Sequence, residues 1–211
     1  MTRLITKAAL LSACGMLVAV AAMAGVPSPA NCTKPAFIRL VGSAASVPDS
    51  AAGKFTVIVR DLANNTITAS NVVVDFSGCT ADLKIANTQL NANYTLNCTN
   101  HTVAAFTNSS GQVDFTILGN SFLAPHTGIG CAKIYADGVL INSPTVAAFD
   151  LDGANGVTSN DLSVWLSDLG THIYYGRSDY DANGAVGSND LSVWLTELGT
   201  HKSAVTLATC P

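Results

Sequence analysis

Charge is scarce in this chain. Only 11% of its 211 residues are charged and 7% are aromatic, a balance that excludes a coiled coil and a highly charged disordered tail. Ten basic residues against fourteen acidic ones give a net charge of −4. Such a chain has no electrostatic footprint for phosphate backbones, so nucleic acid is not an expected partner. Glutamate occurs once, at Glu197. The carboxylate pair of glycoside hydrolysis would therefore have to come from aspartates, and those outside the C-terminal repeats fall mostly at turns or on strand faces. No Ser-His-Asp, Cys-His or phosphate-cradling pattern stands out, and a non-catalytic protein is expected. Cys-x-x-Cys pairs are also missing, so the cysteines read as disulfides rather than metal ligands.

What is present begins with an export signal. Arg3 and Lys7 precede an uncharged run from Ala8 to Ala24 that ends in Ala22-Met23-Ala24, a small-x-small site predicting cleavage before Gly25. An uncleaved anchor is the competing reading. A lipobox-like Leu11-Ser12-Ala13-Cys14 would leave only Ala8 to Ala13 as apolar core, too short for a signal. No later run is long enough to span a bilayer. Cleavage leaves eight basic residues against fourteen acidic, a net of −6, and five cysteines: Cys32, Cys79, Cys98, Cys131 and Cys210. An odd count leaves one thiol over. Cys79 and Cys98 bracket a turn-rich excursion and are expected to pair; Cys210 is expected to tie the tail to Cys32 or Cys131.

From Phe37 to Phe149 apolar residues form seven short β-branched and aromatic runs: 37–41, 55–59, 72–76, 102–106, 113–117, 132–135 and 145–149. Turn clusters separate them, and Asp137-Gly138 is a two-residue hairpin signal. The spacing predicts a mainly β fold built on a β-sandwich. Val57-Ile58-Val59-Arg60-Asp61, an Asn-containing turn, Val72 to Phe76 and Thr107 to Phe115 resemble bacterial immunoglobulin-like domains of the invasin and intimin kind (Big-1). That resemblance implies a rigid spacer or adhesin module. The segment between Cys79 and Cys98 departs from it, as a decorated loop or an extra hairpin.

After Phe149 a tandem repeat appears: Asp150 to His172 lies over Asp179 to His201, sharing Ser-Asn-Asp-Leu-Ser-Val-Trp-Leu at 159–166 and 188–195. Eight of the fourteen acids fall between Asp150 and Leu198, with Arg177 as the one basic residue. In the second copy Asp179, Asp181, Asn183 and Asp190 stand at positions 1, 3, 5 and 12 of a twelve-residue loop, Gly184 at the sharp turn and Val186 at the inward apolar position. Ala185 would add its backbone carbonyl. These are hard oxygen donors at EF-hand-like spacing, which favours Ca²⁺ over Zn²⁺ or Mg²⁺. In the first copy the donors would be Asp150, Asp152, the Gly156 carbonyl and Asp161; Ala154 supplies no side-chain oxygen at position 5, so weaker binding is expected unless Asn155 rotates in.

An apolar stripe at helical spacing follows each loop: Leu162, Trp165, Leu166 and Leu169, then Leu191, Trp194, Leu195 and Leu198. Gly170 and Gly199 are expected to end these helices. The tryptophans lie in the stripe, so core packing is expected rather than carbohydrate stacking. His172 and His201 read as exposed loop residues.

Two loop-helix units in tandem, without a helix before either loop, resemble dockerin type I domains. That family folds on Ca²⁺ and binds cohesin domains, so the resemblance implies a cohesin-like protein or cell-surface scaffold as partner. It also assigns partner choice to loop positions 10 and 11, here Ser159-Asn160 and Ser188-Asn189. The plainer alternative is that these four residues cap the helices.

The expected organisation is a signal peptide (1–24), an immunoglobulin-like β-sandwich (25–147), a dockerin-like small α-helical Ca²⁺ module (148–201) and a C-terminal strand or tail (202–211). The expected function is a secreted attachment protein. The alternative is a self-assembling filament or surface-layer subunit, in which an exposed strand at Ala204 to Ala208 completes a neighbour's sheet.

Overall fold

A computed structural model describes residues 25–122, 130–171 and 175–211. The expected signal segment and His172 lie outside the described residues. The fold is mainly β, with two C-terminal helices.

The strands are β1 (Phe37–Leu40), β2 (Ser43–Ala44), β3 (Val47–Pro48), β4 (Lys54–Ile58), β5 (Asn71–Asp75), β6 (Leu83–Ile85) and β7 (Thr95–Asn97). They continue as β8 (Thr102–Phe106), β9 (Gln112–Thr116), β10 (Gly119–Ser121), β11 (Lys133–Ala136), β12 (Val139–Asn142) and β13 (Thr145–Ala148). All seven runs read from the sequence are strands. Asp137 and Gly138, both at positive φ, close the β11–β12 hairpin with Ala136 opposite Val139, the backbone a tight two-residue turn demands.

A five-stranded antiparallel sheet runs β12-β11-β5-β8-β7. Beside it stand the antiparallel pair β4–β9, the parallel pair β1–β13 and the small pairs β2–β3 and β10–β6. Alternate residues of the five-stranded sheet (Val72, Val74, Val103, Ala105, Ile134) and of the other strands (Ile38, Leu40, Val57, Phe115, Val146) bury one apolar core. This is the period-two consequence of the strand backbone. The segment between Cys79 and Cys98 is not a hairpin: β6 pairs with β10 and β7 with β8.

Among the described residues three α-helices complete the fold: α1 (Ser50–Gly53), α2 (Ser159–Gly170) and α3 (Ser188–Thr200). Gly170 is the last residue of α2, with Thr171 in the cap position, whereas Gly199 lies inside α3, which runs on to Thr200 and is capped by His201 in the left-handed conformation. Trp165 and Trp194 are buried in a second core with Val157, Phe149, Leu151 and Tyr180, to which Val41, Ala86, Leu118 and Ala147 of the strand region also belong. Trp194 Nε1 donates to the Phe149 carbonyl (3.1 Å) and the Tyr180 hydroxyl to the Ala148 carbonyl (2.9 Å). The helices therefore share their core with the strands.

Two further expectations are corrected. Cys79 pairs with Cys131 and Cys98 with Cys210, rather than Cys79 with Cys98; Cys32 is the buried free thiol. The sequence excursion brackets its two cysteines only along the chain, whereas each reaches its partner through sheet packing. Nor is the segment after α3 an unpaired strand. Val205 exchanges both backbone bonds with Ser43, Ala208 accepts from Asn87 N, and Cys210 N donates to Ile85 O, so the segment is bonded within its own chain at these three residues.

Candidate metal centre

Each repeat folds its loop around the carboxylate at position 12. Asp161 Oδ1 accepts from Leu151 N (2.6 Å) and Asp152 N (3.0 Å), and Oδ2 accepts from Thr158 N (2.7 Å). Asp190 repeats the arrangement with Tyr180 N (2.7 Å), Asp181 N (3.2 Å) and Gly187 N (2.9 Å). Both aspartates are fully buried. They also sit in the first turn of α2 and α3, where the helix N-terminus favours negative charge.

The first carboxylate of each loop organises its turn. Asp150 Oδ1 accepts from Gly153 N (2.7 Å), and Asp179 accepts from Asn183 N (3.2 Å) and Gly184 N (3.0 Å). Gly184 holds φ +88, as the sharp turn requires. The result is two groups, Asp150–Asp152–Asp161 and Asp179–Asp181–Asp190, in each of which one oxygen per residue lies within 4.8 Å of the others. Six predicted ligands are thus brought together, three and three, and either group could hold a metal ion.

Asn183 and Ala185 stand beside the second group, both exposed. The Asn183 amide donates to Asp181 Oδ2 (2.8 Å) and accepts from Ala185 N (2.9 Å). In the first loop Gly156 (φ +66) is where the C-terminal tail crosses: a Cβ there would meet Ala204 and Ser203 backbone at 2.4–2.5 Å. Asn155 is exposed at φ 62.

Electrostatics make the metal-free sites unfavourable. Burial, reinforced by Asp161 and Asp152, pushes the Asp150 carboxyl up to about 6. Burial likewise raises Asp161 and Asp190, each with a neighbouring carboxylate adding to it. Crowded, desolvated carboxylates are the groups a divalent cation would relieve.

Two participants were not read from the sequence. Thr206 donates its hydroxyl to Asp150 Oδ2 and accepts from Gly156 N (2.5 Å), tying the tail to the first loop. Arg39 of β1 donates to the Tyr180 carbonyl through Nε (2.8 Å) and Nη2, and feels the charges of Asp181 and Asp190. Thr206 is 56 residues from the Asp150 it serves and Arg39 is 141 from Tyr180, so no local signal marks them. Arg177, the basic residue inside the repeats, instead makes a bidentate ion pair with Asp168 of α2 through Nε (2.9 Å) and Nη2 (2.8 Å).

Ser159, Asn160, Ser188 and Asn189 are all exposed at the helix starts. They are not the caps: Thr158 caps α2 and Gly187 occupies the cap position of α3. Leu166 and Leu195, at equivalent repeat positions, are 50% and 47% exposed. Two disulfides fit an oxidising compartment, and among the described residues no helix is long and apolar enough to cross a membrane. Compared with known proteins, the chain matches no family model and no curated protein is significantly similar to it.

Proposed function

We propose that the chain is a secreted, non-catalytic attachment protein: an immunoglobulin-like β-sandwich carrying a dockerin-like module that orders on Ca²⁺ and docks a cohesin-like protein or cell-surface scaffold. The observation that carries this reading is the duplicated aspartate triad, built by equivalent backbone bonds at equivalent repeat positions. All side-chain donors are hard oxygens in loops of EF-hand spacing, a set suited to Ca²⁺. Asp179, Asp181, Asn183, the Ala185 carbonyl and Asp190 would hold one ion. Asp150, Asp152, the Gly156 carbonyl and Asp161 would hold the other, more weakly because Ala154 replaces a donor.

A bound cation would neutralise each triad. Asp161 and Asp190 would pass that effect to the helices, because the same carboxylates sit in their first turns and hold the backbone amides of the cap residues Thr158 and Gly187. The docking half of the reading is supported by the outer helix faces, where Ser159, Asn160 and Leu166 repeat as Ser188, Asn189 and Leu195, all exposed. The inner faces are occupied by the second core, through Trp165 of α2 and Trp194 of α3.

Calorimetric titration of the EGTA-treated full chain with Ca²⁺ should show saturable binding, with circular dichroism reporting a gain in helix. Unchanged dichroism and no binding heat would sink the calcium reading. Purified type I cohesin domains should bind only the Ca²⁺-loaded protein, and not the Leu166→Asp, Leu195→Asp double variant. A Ca²⁺-loaded chain that captures none of them defeats the docking reading alone.

A further inference from the structure

Outside both triads, two more acids meet where the last helix packs on the strand region. Asp49 precedes α1 and uses Oδ1 to accept from Ala51 N (3.1 Å) and Ala52 N (3.3 Å). Glu197 lies in the C-terminal part of α3 and accepts from Ser203. They are 3% and 4% exposed, and the Glu197 carboxyl feels the charge of Asp49. One oxygen of each, Asp49 Oδ2 and Glu197 Oε1, is buried with no hydrogen-bond donor among the described residues.

Both residues line a cavity of about 280 Å³, whose other charged lining residues are Arg39 and Lys202. Arg39 is committed to the carbonyls of Tyr180 and Ala52, and Lys202 is exposed. Two ionised carboxylates cannot face each other in a buried site without a cation or a proton between them. A metal is the poorer occupant: only two carboxylates converge, and two cationic side chains share the wall.

We propose that Asp49 and Glu197 share one proton, and that this acid–carboxylate hydrogen bond is a pH-dependent latch holding the end of α3 against α1. With the proton in place the bond is charge-assisted and strong. Without it, like charges push the helix end away from the strand region. Burial, then Asp49, push the Glu197 carboxyl up to about 7 from an ordinary value of 4.5. Its folded value is raised, so the folded state holds the proton more tightly. The stability it confers is complete below about 4.5 and is lost as pH rises through about 7.

The test is denaturant unfolding of the full chain from pH 4.5 to 8 at one fixed Ca²⁺ concentration, comparing wild type with Glu197→Gln. The wild-type unfolding constant should rise about a hundredfold more than that of the variant, whose amide donates to Asp49 at every pH. Asp49→Asn should shrink the pH dependence without abolishing it, because burial alone then raises Glu197, so misfolding of one variant leaves the test intact. Parallel pH profiles for wild type and both variants would overturn the latch. So would recovery of wild type at pH 8 by added Mg²⁺ that leaves Glu197→Gln unaffected, because the bridge would then be a metal. The inference does not depend on the calcium reading, since every sample carries the same Ca²⁺.

Discussion

At the scale of single residues, Asp190 has two separable roles. Its carboxylate accepts three backbone amides, and Tyr180 N, one of them, is buried. Removing that acceptor strands donors whatever the metal content. Asp190→Ala should therefore lower stability in EGTA by about 2–4 kcal/mol, measured by urea unfolding. Asp181 is the control: its oxygens accept from the exposed Asn183 and also meet the Asp179 and Asn189 side chains, but they do not hold the buried Tyr180 amide that Asp190 holds. Asp181→Ala should leave EGTA stability nearly unchanged while weakening Ca²⁺ binding by about tenfold or more in calorimetry. The triads were legible in the sequence because all their donors sit inside one contiguous loop. Thr206 and Arg39 were not, because they reach the loops from 56 and 141 residues away.

Among elements, strands long enough to alternate were readable and shorter ones were not. The run Val72 to Phe76 shows its period over five residues, but β2, β3, β6 and β10 have two or three residues each, too few to display one. Gly170 and Gly199 show a different limit. Glycine is permitted at a helix end but does not itself have to be the cap, and here the cap positions fall one residue past Gly170 and two past Gly199. Trp194 was readable by its place in the apolar stripe of α3, while its hydrogen bond to Phe149 across 45 residues was not. Trp194→Ala should cost about 3–5 kcal/mol in urea unfolding, from the cavity alone. The replacement of an α3 surface residue such as Ser192, which is exposed, should change little in the same assay.

For the whole molecule, the tail after α3 decides how the parts cooperate. Ser203 accepts from Gly42 N with its hydroxyl and from Val157 N with its carbonyl. Val205, Ala208 and Cys210 continue the line of bonds to Ser43, Asn87 and Ile85. The Cys98–Cys210 bridge then closes a span of 112 residues. Replacing both of these cysteines with alanine should destabilise the protein by about 2–5 kcal/mol. The tail and the shared second core should also make strands and helices melt in one step. Near-ultraviolet dichroism of the tryptophans and far-ultraviolet dichroism of the backbone should then give the same midpoint, and separate midpoints would show independent units.

Phe149 gives this arrangement a mechanical consequence. Its ring stacks on Tyr180 at 4.8 Å, its carbonyl accepts the Trp194 indole, and Asp150, the first acid of the loops, is the very next residue. No slack segment separates the loops from β13, which ends at Ala148 and lies parallel to β1 over four residue pairs. A pull applied to the outer helix faces would travel along the axis of β13 and load its bonds to β1 together, in shear, rather than peeling them apart singly.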